Sequence, residues 1–137
     1  MVVKNRIITM ASKTEEHCIR VCPDLNQINS CIEMLEGSSQ SISRLAQING
    51  MMGNETRLKI MYIIYKEQQV CVCDISDILH MSVPAISQHL KKLKTTGLLH
   101  SKKVGQTVFY SINMDVMETL LPTFIQITKN KLQTQLS

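Results

Sequence analysis

Residues 71–112 read CVCDISDILHMSVPAISQHLKKLKTTGLLHSKKVGQTVFYSI, and the punctuation of this stretch decides the fold. Ile75, Ile78 and Leu79 recur at helical spacing, which predicts a short helix after the two cysteines with these side chains inward. His80-Met81-Ser82 breaks it. Ser82 followed by Pro84 is a helix start, because the serine oxygen can accept from free first-turn amides and proline has no amide to leave unpaired. The second helix buries Val83, Ile86, Leu90 and Leu93 on one face and turns Ala85, Ser87, Gln88, Lys91 and Lys92 to the other. Gly97 closes it. LLHSKKV and TVFYSI then form two β-rich runs joined by Gly105-Gln106, a hairpin with Lys102 and Lys103 beside its tip. Helix, turn, helix, hairpin is a winged helix-turn-helix, mainly α with a small β-hairpin.

The rest of the chain is arranged around this unit. At 137 residues, 44% of them hydrophobic and without tryptophan, the chain suits one helix-rich domain carrying an arm. Residues 1–23 lack a sustained period and end at Pro23, so they read as a flexible N-terminal arm. The domain then covers 24–137. Leu25, Ile28, Ile32 and Leu35 predict a first helix near 24–36 closed by Gly37, and a short second helix follows, ending about Gly53. Asn54 is the expected cap of the next helix, with Leu58, Met61 and Ile64 or Tyr65 inward. After the hairpin, Val116, Met117, Leu120, Leu121, Phe124 and Ile127 form an apolar surface larger than a lone winged unit needs. With the first helix it is the expected interface of a homodimer.

The outward face of the second helix suits double-stranded DNA. Small residues at its start, Pro84 and Ala85, allow close entry to the major groove, where Gln88 can pair with base edges. Ser82, Ser87, Lys91 and Lys92 can hold phosphates, and Lys102, Lys103 and Gln106 of the hairpin reach the adjacent backbone. His89, at the edge of the buried stripe, is a further candidate. The plainer alternative is the solvated face of an amphipathic helix; the net charge of +4 fits either reading. No stretch approaches the roughly 18–20 apolar residues that span a bilayer, and the N-terminus lacks a secretory apolar run, so the expectation is a cytoplasmic protein with no membrane partner.

Five cysteines are an odd number, and the one-residue spacing of Cys71 and Cys73 is poor for a structural bridge. Reduced thiols in a reducing compartment invite a soft metal. The alternative for Cys71 and Cys73 is a pair of small buried side chains; Cys18 and Cys22, in a polar arm, have no core to fill. Cys31 falls at helical spacing with Ile28 and Leu35, which favours packing over ligation. No catalytic base accompanies either pair, so neither an enzyme nor a small organic substrate is expected.

NETRLKIMYIIY, VCVCDISDIL, SVPAISQHLKKLKTTGLL and KVGQTVFYSI, in this order, resemble the ArsR/SmtB family of metal-sensing repressors, and within it the CadC-type sensors of cadmium, lead and zinc. Cys18 and Cys22 match the C-x3-C of that arm. QVCVCDI keeps the C-V-C-D of the family signature ELCVCDL, with Gln69-Val70 in place of Glu-Leu. The resemblance implies a repressor dimer on a twofold operator, released when Cys18, Cys22, Cys71 and Cys73 together take Cd(II), Pb(II) or Zn(II), the arm coming from the other protomer. Extended backbone over 71–73 would put both thiols on one side, and the positive end of a helix favours the thiolate. Four sulfurs suit tetrahedral soft ions. Cys31 in place of the arm would give a three-thiol sensor of As(III), Hg(II) or antimonite, His17 is a possible substitute ligand, and a thiol redox sensor is the rival reading. The last helix has Met114 and Val116 where relatives carry Asp and His ligands, so no second metal site is expected there.

Overall fold

The computed structural model describes residues 21–136; Cys18 and His17 lie outside them. Contacts divide the chain into two compact units, Met1–Arg44 and Leu45–Ser137.

Helix α1 spans Leu25–Met52. Asp24 caps it, its carboxylate Oδ1 accepting from the Gln27 amide at 3.0 Å. The two helices expected here are therefore one, running straight through Gly37. Leu35 and Ile42 lie two turns apart, so the apolar stripe stays in phase across the glycine. A mid-helix glycine costs only about 1 kcal/mol relative to alanine, and Ser38 and Ser39 start nothing new. Within the first unit Ile28 and Ile32 are half-buried, while Leu25, Met34, Leu35 and Ile42 are exposed.

In the second unit α1 ends at Met52, and Gly53 leads to α2, Glu55–Glu67. Asn54 is the cap as expected, accepting from the Arg57 amide at 3.0 Å. Arg57 in turn donates from Nε to the Met51 carbonyl at 2.8 Å, which ties the two helix ends together. The inward face of α2 is Ile60, Met61 and Ile64, all fully buried, whereas Leu58 and Tyr65 are half-buried.

The winged unit follows. Strand β1 (Val70–Cys71) leads directly into α3 (Val72–Leu79), and α4 spans Val83–Thr95. Ser82 caps α4 by accepting from the Ala85 amide at 3.3 Å. Gly97 takes φ +81°, a left-handed conformation that glycine adopts without strain, and turns the chain into the hairpin. The hairpin is β2 (Leu99–Val104) and β3 (Thr107–Ile112). Its loop has positive φ at Gly105 but not at Gln106, the pattern of a type II′ turn, whose twist matches the flanking strands. The sheet has the order β1-β3-β2, because β1 pairs antiparallel with β3, Val70 opposite Tyr110 and Cys71 opposite Phe109. A two-residue strand carries no periodicity, so β1 was not foreseen.

Ile75, Ile86, Leu90, Leu93 and Leu98 form the centre of the core with the α2 face. Two side chains expected inside are not there: Ile78 is 52% and Val83 41% exposed. An eight-residue α3 reaches the core through Ile75 and the half-buried Val72 and Leu79, and Val83 stands at the first turn of α4, before its stripe meets the core.

A 3-10 turn, Met114–Val116, precedes α5, Met117–Leu136. Here the apolar surface expected at an interface is largely the chain's own core: Val116, Leu120 and Phe124 are buried. Phe124 stacks on Tyr65 with ring centroids 4.6 Å apart, and Tyr62 Oη shares a hydrogen bond with Thr128 Oγ1 at 3.2 Å. The exposed large apolar residues of α5 are Leu121, Ile125, Leu132 and Leu136, which fall on one neighbouring stripe at a 3.6-residue period.

Candidate nucleic-acid interface and thiol site

The geometry of α4 follows from its two ends. Ser82 and Pro84 set its start, and the buried Ile86, Leu90 and Leu93 fix its rotation about its axis. The remaining face, Ser82, Pro84, Ser87, Gln88, Lys91 and Lys92, is exposed, with Ala85 half-buried at its edge. Lys102, Lys103 and Gln106 are exposed on the hairpin. Such a face, small at the helix start and basic toward its end, can approach a polyanion closely and bind it with charge.

His89 is half-buried and belongs to neither face. Its Nδ1 is buried without a hydrogen-bond partner. Burial, followed by the positive charges of Arg57 and Lys92, holds its pKa below the usual histidine value, so the ring is neutral near pH 7.

Sequence reasoning missed the tie between this helix and the wing. Lys94 Nζ donates to Ser101 Oγ at 2.6 Å, and at the hairpin root Asn113 Nδ2 donates to the Gly97 carbonyl at 2.9 Å. Lys94 looks like one more lysine of a charged run, and no local pattern shows that it points at a strand seven residues on.

The thiols are placed differently from expectation. Only Val70–Cys71 is extended; Cys71 is the cap residue of α3, and Cys73 is already inside the helix. The alternation that would present both sulfurs together therefore does not hold. Cys71 is 8% exposed and lies in the sheet, whereas Cys73 is exposed. Cys22 is exposed just ahead of α1, and Cys31 is exposed on it, not packed in a core. All four are free thiols. The donors suit a soft, thiophilic ion by chemistry, and among the described residues no group of three or more potential ligands is gathered at one point.

Residues 54–101 match the family model of bacterial regulatory proteins of the arsR family. The chain is 35% identical over 98 residues, 71% of its length and 80% of the relative's, to the cadmium resistance transcriptional regulatory protein CadC of Listeria innocua. It is 31% identical over 84 residues, 61% of its length and 69% of the relative's, to a CadC homolog of Staphylococcus aureus. Among solved structures it is similar to HlyU from Vibrio cholerae, with a TM-score of 0.57, 30% identity, and coverage of 61% of this chain and 90% of that one. The matched region contains the cysteine-bearing α3, the capped α4 and the start of the wing, and the chain belongs to the arsR family of bacterial regulatory proteins.

Proposed function

We propose that the chain is a homodimeric transcriptional repressor that holds operator DNA with α4 and the wing and releases it when its thiols take a soft metal ion. The observation that carries this reading is the exposed face of α4, together with the exposed lysines of the wing, on a chain whose relatives include proteins named as cadmium resistance regulators. Gln88 reads base edges; Ser82, Ser87, Lys91, Lys92, Lys102 and Lys103 hold phosphates. The exposed stripe of α5 supports a second copy as partner, since Leu121, Ile125, Leu132 and Leu136 are large apolar side chains left exposed among the described residues of one chain. The protein acts by binding, in the cytoplasm, and not as an enzyme. Among the described residues no helix is long and apolar enough to cross a membrane.

Cys71 and Cys73, joined by Cys22 and by Cys18, would hold the ion as thiolates. An ion so bound would crosslink the arm to the β1–α3 junction. Cd(II), Pb(II) and Zn(II) fit four thiolates; Cys31 in place of the arm would suit As(III) or Hg(II).

Fluorescence anisotropy with a duplex from upstream of the chain's own reading frame tests the reading. The reduced protein should bind it more tightly than a shuffled duplex and release it on adding Cd(II). Gln88→Ala should narrow the gap between the two duplexes by about 1–3 kcal/mol at the contacted base pair. Lys102→Ala should weaken both alike and lower the salt slope by about one. Equal binding to both duplexes, or indifference to Cd(II), would defeat the proposal.

A further inference from the structure

The lysines of α4 do not share one role. Lys91 and Lys92 stand with Gln88 on the outward face, and Lys94 does not continue it. At about 100° per residue, Lys94 lies about 120° round the helix from Gln88 and only about 40° from the buried Leu90, on the flank beside the core. From there its Nζ donates to Ser101 Oγ at 2.6 Å. A lysine so engaged is aimed at the wing.

Ser101 stands where the wing loses its other supports. At the root Leu99 is buried, the Leu98 amide donates to the Leu93 carbonyl at 3.0 Å, and Asn113 Nδ2 donates to the Gly97 carbonyl at 2.9 Å. Strand β1 pairs with β3 at Tyr110 and Phe109, which lie opposite Ser101 and Lys102 of β2. From Lys103 to Val108 the hairpin runs on, among the described residues, as two strands without a third. A two-stranded ribbon is only marginally stable by itself, so its aim is set by what holds it at the last supported step. Ser101 is at that step. Alternation puts Leu99, Ser101 and Lys103 on one face of β2 and Lys102 on the other. The tie from α4 therefore fixes the strand two residues before Lys103, on the face from which Lys103 projects.

We propose that Lys94 is a positioning residue for DNA binding and not a phosphate contact: by holding Ser101 it sets the angle between wing and α4, so that Lys103 and the outward face of α4 meet one duplex together. This rests on the reading above that α4 and the wing hold DNA. A wing released at Ser101 keeps its lysines, and what it loses is the ordering that must then be supplied when DNA binds.

Fluorescence anisotropy with the upstream duplex, on the reduced full-length protein without metal, tests it. Ser101→Ala leaves Lys94 and its charge in place and so separates the two roles. It should weaken binding about three- to tenfold, the range of one net hydrogen bond, with the salt slope of the wild type, since no phosphate contact is lost. Lys94→Met should match it, and the double variant should bind no worse than either, because both changes remove one contact. Lys103→Ala should lower the salt slope by about one in the wild type and cost less affinity in the Ser101→Ala background. Ser101→Thr keeps the hydroxyl and should restore wild-type affinity. Unchanged or tighter binding by Ser101→Ala, with the slope lowered by about one in Lys94→Met, would make Lys94 an ordinary phosphate contact and overturn the proposal, leaving the DNA reading intact. A wild type that does not prefer the upstream duplex to the shuffled one would remove both. Circular-dichroism melts of the variants should coincide with the wild type; a lowered melt with affinity restored on cooling would make the tie a stabilising contact only, and would overturn the proposal too.

Discussion

His89 is the residue whose surroundings say most about α4. It is half-buried, with Nδ1 lacking a partner and its pKa depressed by burial, Arg57 and Lys92. The sign of the consequence is definite. A base with a depressed folded-state pKa binds fewer protons folded than unfolded, so as pH falls through the ordinary histidine range the unfolded state gains protons that the native state refuses. Stability is full above that range, declines as pH drops from the unfolded pKa to the folded one, and stays at the lowered level below. His89→Gln, neutral at every pH, should flatten the fall in Tm between about pH 7 and 5. Circular-dichroism melts of both proteins across that range measure it, and an equally steep fall in the variant would assign the effect elsewhere. At this scale the sequence was informative where a side chain's role is local. Asn54 and Ser82 cap as their positions demand, because a cap depends only on the next three residues. The presentation of Cys71 and Cys73 is less legible, because it depends on where a strand ends and a helix begins, and the pairing of β1, not local spacing, draws that line.

Among the elements, α1 shows how far periodicity can be trusted. Its stripe is legible in the sequence, where Gly37 reads as a stop. A glycine ends a helix when the chain beyond it leaves in another direction, and here Leu35 and Ile42 share a face across it. A Cβ at position 37 would meet nothing within 4 Å, so Gly37→Ala should stabilise the helix by about 0.5–1 kcal/mol through propensity and reduced unfolded-state freedom. Urea denaturation followed at 222 nm would register the gain; a loss would mean that Gly37 bends the helix in solution. The winged unit was legible almost element by element, since capping, a proline, a terminal glycine and a two-residue turn all agree there. The faces of α3 and α5 were less so. Periodicity ranks Ile78 beside Ile75 and Leu121 beside Leu120, but only the position of α2 decides which of them is covered, and Tyr62 and Tyr65 take Phe124 for the core.

For the whole molecule, the proposed switch is a free-energy coupling between two ligands that bind different places. In that proposal DNA meets α4 and the wing, whereas Cys71 and Cys73 lie at the β1–α3 junction, and the wing sheet is continuous from one to the other through β3. Whatever factor a bound ion takes from DNA affinity, bound DNA must take from ion affinity, because both are legs of one cycle. Couplings of this kind are typically about 1–3 kcal/mol, or roughly 5–150-fold. Competition with a chromophoric chelator should therefore give a Cd(II) dissociation constant that rises on saturating the protein with its operator duplex, by the same factor by which Cd(II) raises the DNA dissociation constant. Matching factors in wild type and a common fall toward unity in Cys71→Ser would tie the cycle to this thiol. Unequal factors would mean that Cd(II) releases DNA by another route, such as aggregation through the exposed Cys22, Cys31 and Cys73, which a light-scattering measurement on the same samples would expose.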